Sequence, residues 1–156
     1  MSKRLRKTAF KVAKKQKGRY MKRWEKREIG TITERKFFDE FPGGIPPRSA
    51  PAWIVSVNRH DETLDARGID AVVKIKHFMG GPRRNLDIFL QIKTSGKYID
   101  RFKSKHPSTR IAVLVIGLGK TARDFLPDFY ALITQERHWL ATEMKLLPYL
   151  SQQEAA

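Results

Sequence analysis

The chain has 156 residues, 40% of them hydrophobic and 10% aromatic, with a formal net charge of +16. That composition is enough for one domain with a core and argues against a disordered chain. With no cysteine, disulfides, thiolate zinc sites and cysteine nucleophiles are excluded together, and the longest apolar run, residues 111–116, is too short to cross a bilayer.

The charge is uneven. Residues 1–28 hold 13 Lys and Arg against Glu25 and Glu28, a net of +11, and the rest of the chain carries +5. Like charges at this density repel, and a polyanion relieves the repulsion while releasing counterions. Nucleic acid is the expected partner. Lys14, Lys15, Lys17, Arg19, Lys22 and Arg23 are placed to follow phosphates, and Trp24 to stack on a base. An organellar transit peptide is an alternative for this segment. A membrane face is not expected, because its apolar residues are few and scattered. The division expected is a basic N-terminal arm over 1–28, a domain over 29–150 and a frayed end at 151–156.

The first element of that domain is a helix over residues 31–41, stopped by Pro42-Gly43-Gly44. Thr31 or Thr33 is its expected cap, and Thr31 with Glu34 has capping-box spacing. Glu34 also shares a helical face with Phe37, Phe38 and Phe41, which turns its carboxylate toward the core or its rim. Strands are expected at 53–57, 69–76 and 86–93, with a Gly80-Gly81-Pro82 turn joining the last two. Residues 96–106 suit a helix that ends before Pro107, and 110–116 an apolar strand. Residues 128–147 have helical spacing up to Pro148. The order predicts an α/β domain: a mixed sheet with helices on both faces and a right-handed crossover into a parallel last strand. Trp53 and Trp139 are read as core residues.

Polar residues interrupt this pattern at one strand end. In LDIFLQIK, residues 86–93, the apolar side chains Leu86, Ile88, Leu90 and Ile92 alternate with Asp87, Phe89, Gln91 and Lys93. The second face is either simply wet or built for chemistry. Asp70 opens the neighbouring strand, so a hairpin brings Asp70, Gln91 and Lys93 to one end, with Glu34 placed to close the same pocket. Two carboxylates and an amide oxygen are hard ligands suited to Mg²⁺ or Mn²⁺. An ammonium beside them can orient a water and stabilise developing negative charge. The set describes metal-assisted phosphodiester hydrolysis.

Glu34 in the first helix, Gly68-Ile69-Asp70 opening a strand and Gln91-Ile92-Lys93 ending the next resemble the PD-(D/E)XK nuclease superfamily. The closest form is the Mrr-type branch, in which glutamine replaces the usual acidic residue. The resemblance covers roughly residues 30–118. It implies a restriction-endonuclease-like αβββαβ core, with a mixed central sheet flanked by helices. It implies that Asp70 is the principal metal ligand, that Gln91 and the backbone carbonyl of Ile92 complete the shell, and that Lys93 positions the attacking water. Glu34 would be an accessory ligand or hold a metal-bound water. Ile69 stands where the motif's name has proline, and Gln91 where it has a carboxylate; the second change weakens the metal site.

The function expected is that of a Mg²⁺-dependent endonuclease, with DNA as the first candidate substrate and a homodimer as one possible assembly. The expected location is the cytoplasm, on the nucleoid in a bacterial or phage setting. The alternatives are a non-catalytic nucleic-acid-binding protein on the same fold and a small basic assembly protein contacting ribosomal RNA. GLGKT, residues 117–121, lacks the first glycine of a phosphate-binding loop. His60, His77, His106 and His138 have no ligand spacing. Asp61, Glu62 and Asp65 read as a solvated loop, with Asp65 as a reserve ligand.

Overall fold

The computed structural model describes residues 23–60, 68–79, 85–105 and 110–150. The arm lysines and arginines at 3–22, Asp65, the turn at 80–82 and residues 151–156 lie outside the described residues. In chain order the elements are α1 (Arg23–Phe38), β1 (Ile54–Arg59), β2 (Ala71–Ile75), β3 (Leu86–Lys93), α2 (Ile99–Lys105), β4 (Ile111–Val115) and α3 (Ala122–Glu143). They build a mixed α/β structure around a four-stranded sheet of order β1-β2-β3-β4. The first two pairings are antiparallel and the last is parallel.

Helix α1 extends well N-terminal of the expected start at residue 31. Thr31 and Thr33 are therefore interior, and their hydroxyls donate back to the carbonyls of Arg27 and Ile29, both at 2.9 Å. At those positions the amides are already used by the helix, so neither threonine caps it and the capping-box use of Glu34 falls away. The helix also crosses residue 28, joining the end of the basic segment to the domain. Glu25 in its first turn and Arg35 and Lys36 in its last complement the helix dipole. The chain leaves it through Gly43 and Gly44, at φ +64° and +77°. A Cβ at Gly44 would collide with the Asn58 side chain on β1.

The apolar stripe of α1 packs against α3 as well as the sheet. The Phe37 ring meets that of Phe129 edge-on at 5.1 Å, and Phe41 meets Phe129 at 5.5 Å. Phe125 lies 6.3 Å from Phe37. These rings join Val57, Val73, Ile75, Leu90, Leu114 and Ile116 in one buried cluster. The two long helices thus share one sheet face, while the short α2 meets Lys93, whose side chain alternates with the core residues Leu90 and Ile92. The short α2 buries no residue fully. Replacing Phe37 by Ala should cost about 3–5 kcal/mol, because a fully buried ring at the α1–α3–sheet junction leaves a cavity. A urea titration checks this, and a loss under about 1 kcal/mol would mean that α1 is not docked as described.

Helix α3 starts before Pro127, not after it. The Thr121 amide and hydroxyl both bond the Asp124 carboxylate, at 3.0 and 3.1 Å, and nucleate the first turn. Those bonds hold the Asp124 pKa below its usual value. Pro127 forgoes only the bond to the Arg123 carbonyl. Residues 117–121 form the β4–α3 turn, closed by the Lys120 amide on the Gly117 carbonyl at 3.1 Å. Trp139 is a surface residue, contrary to expectation. The Arg110 guanidinium lies 3.7 Å from its ring centre and also pairs with Glu136 at 2.7 Å. Trp53 is half-buried, with the Arg137 guanidinium 4.4 Å from its ring centre. Among the described residues no helix is long and apolar enough to cross a membrane.

Candidate functional site

The β2–β3 register sets the site. Ala71 faces Leu90, so Asp70 lies opposite Gln91, and the Asp70 amide donates to the Leu90 carbonyl at 2.8 Å. Asp70 Oδ2 accepts from Gln91 Nε2 at 2.6 Å and from the Ile92 amide at 2.7 Å. Gln91 Nε2 also lies 3.4 Å from the Ile92 carbonyl oxygen. Asp70 is 6% exposed and Gln91 7%, so at Gln91 the second strand face is not wet.

The neighbouring elements end at the same edge. The His60 amide, just past β1, donates to the Asp70 carbonyl at 3.1 Å, and the Ile116 amide, just past β4, donates to the Lys93 carbonyl at 2.8 Å. Lys36 on α1 reaches the Lys120 carbonyl of the β4–α3 turn at 2.8 Å. Two residues beyond Gln91, Lys93 is half-buried, and its ammonium lies 4.9 Å from the centre of the Phe102 ring on α2.

The electrostatics tie these groups together. Burial pushes the Asp70 pKa up to about 6, against the pull of the Ile92 amide. The Glu34 carboxylate raises it further, while Lys93 and His60 lower it. Glu34, one turn before Phe37, is near enough for its charge to act on Asp70. His60, whose charge acts on Asp70, carries no signal in the sequence motifs. Its lack of ligand spacing hid it, whereas the antiparallel β1–β2 pairing, which places position 60 beside position 70, could have found it.

Among the described residues, no three His, Cys, Asp or Glu side chains group together as a metal cluster. The oxygen set here is of another kind: two carboxylates, an amide and a main-chain carbonyl. The Gln91 amide nitrogen sits between Asp70 Oδ2 and the Ile92 carbonyl, and Gln91 Oε1 is buried with no hydrogen-bond partner. A buried oxygen without a donor calls for an explanation, and a cation is one. A half-turn of the amide exchanges its two ends. Asp70, Gln91 and the Ile92 carbonyl are the oxygens here that could hold a hard cation such as Mg²⁺ or Mn²⁺.

Of the expected nucleic-acid contacts, Lys14, Lys15, Lys17, Arg19 and Lys22 lie outside the described residues. Arg23 opens α1, and Trp24 follows it with 60% of its surface exposed. No protein-family model, curated protein or solved structure matches the chain.

Proposed function

We propose that the chain is a Mg²⁺-dependent endonuclease of the PD-(D/E)XK type that hydrolyses phosphodiester bonds in DNA. The observation that carries this reading is the buried Asp70–Gln91 pair at one hairpin end, with the Lys93 ammonium two residues on. The αβββαβ order, followed by α3, and the mixed four-stranded sheet support it, being of the kind that the resemblance implies. The net charge of +16 supports a polyanionic substrate.

The roles follow from the side chains. Asp70, Gln91 and the Ile92 carbonyl would hold the ion, which when bound supplies Lewis acidity toward the phosphate and acidifies a water. Lys93 donates hydrogen bonds that orient the attacking water and stabilises charge building on the phosphate oxygens. Glu34 holds a water at the rim. The basic segment grips phosphates, which gives affinity without reading sequence. A homodimer would place one such site on each strand of a duplex.

A panel of labelled duplex DNA, single-stranded DNA and RNA in Mg²⁺ tests the proposal. Cleavage of a DNA substrate is expected, and binding of the panel with no cleavage would overturn it. In that case the second reading takes over, a non-catalytic nucleic-acid-binding protein. The neutral Gln91 favours that reading, because it draws a cation less strongly than a carboxylate does. Deleting residues 1–22 removes ten Lys and Arg and keeps Arg23–Phe38 of α1. Binding should weaken, and the slope of log affinity against log salt should flatten by about 0.9 per lost phosphate contact. An unchanged slope would show that this segment does not touch phosphate.

A further inference from the structure

We propose that Phe102 is a positioning residue for Lys93, holding its ammonium over the ring face at the end of β3 while leaving its charge and donors available to a substrate. This rests on the nuclease reading of the site and adds to it a residue on α2, an element that carries none of the motif.

The local chain path explains how Phe102 gets there. After Lys93 the backbone makes a short turn, where Ser95 Oγ accepts from the Lys97 amide at 3.2 Å. The turn lies against its neighbours in ordinary contact, a Cβ on Gly96 falling 3.5 Å from Ile99 and 3.9 Å from Val115. Helix α2 follows directly and returns Phe102 to Lys93, with 4.9 Å between ammonium and ring centre. Seven residues with no fully buried member do not make a helix that the core requires. Its one half-buried aromatic carries the lysine over its ring.

The chemistry favours a ring in this place. A lysine side chain has four rotatable bonds, and a loosely held ammonium spends much of its time away from a reacting phosphate. A carboxylate would anchor it more tightly but would neutralise it and compete for its protons. Lys74 shows that alternative, held by Asp87 at 2.9 Å on the solvent side of the same hairpin. An aromatic face attracts the cation through its quadrupole and accepts no proton. Lys93 is thereby restrained and remains a cation with donors to give.

The test compares Phe102→Leu, Phe102→Tyr and Phe102→Trp in single-turnover cleavage with Mg²⁺. The leucine keeps the apolar packing and removes the ring; the other two keep the ring. Phe102→Leu should lose about tenfold in the cleavage rate, with DNA affinity in EDTA unchanged, and the aromatic variants should stay within about threefold of wild type. A second readout needs no catalysis. In NMR spectra, the Lys93 Hε protons should be shifted upfield by the ring, retain that shift in Phe102→Tyr and lose it in Phe102→Leu. Wild-type cleavage by Phe102→Leu, or equal losses in all three variants, would overturn the positioning role. An inert wild-type protein with ring-shifted Lys93 protons would overturn the nuclease reading and the catalytic role with it, while the contact itself would stand.

Discussion

Replacing Lys93 by alanine is expected to lower the cleavage rate by about 10²–10³-fold, the usual effect of removing one preorganised donor to a developing anion. Stability and DNA affinity should change little. Lys93 is half-buried at a strand end, and its backbone carbonyl, which accepts from Ile116, survives the substitution. One positive charge is also a small part of a net +16. Arginine should restore less than the native rate, since its guanidinium can stack on Phe102 but presents a planar fork in place of a compact ammonium. Single-turnover cleavage, urea titration and a gel-shift assay separate the three effects. A variant that cuts like wild type would remove Lys93 from the chemistry.

Asp70→Asn is expected to make the metal-free protein more stable and to abolish the proposed cleavage. The folded protein holds the Asp70 proton more tightly than the unfolded chain does, with a pKa raised from 3.8 to about 6. Between those values the folded state binds more protons, so stability falls as pH rises through this window, and the loss is complete above about pH 6. The full effect is up to ~3 kcal/mol, at about 1.4 kcal/mol per pKa unit. Asparagine keeps an oxygen to accept from the Ile92 amide and carries no charge. It should therefore raise the Tm at pH 7–8, and the advantage should vanish near pH 4. Mg²⁺ should reverse the order by stabilising wild type and leaving the variant unmoved. Thermal melts across pH, with and without Mg²⁺, check both halves. A wild type as stable as the variant in EDTA at pH 8 would show that the Asp70 carboxylate is not desolvated as described.

The pairing of Asp70 with Gln91 was more legible in the sequence than the packing around it. The two-residue alternation of β3 fixed which residues share a face, and a hairpin could bring Asp70 to Gln91 only at one end. The start of α1 was hidden for local reasons. Thr31 and Thr33 look like caps, and Gly30, which costs about 1 kcal/mol inside a helix, looks like a break. Lys, Arg and Glu in the preceding turn are nevertheless good helix formers, and the Thr hydroxyls bond backward instead. Pro127 concealed the true start of α3 because a proline reads as a boundary, although the Thr121–Asp124 pair lies before it. The shared sheet face of α1 and α3 was beyond any local pattern, since Phe37 and Phe129 meet across most of the domain sequence. Phe102 and His60 were missed likewise: each joins the site through a neighbouring element and carries no motif.

The most direct measurement is nicking of supercoiled plasmid by the full-length protein in Mg²⁺, in Mn²⁺ and in EDTA, with Asp70→Asn alongside. Nicked and linear forms are expected with either ion, and none in EDTA or with the variant. Plasmid bound but intact under every metal, or cut equally well by Asp70→Asn, would contradict the nuclease reading.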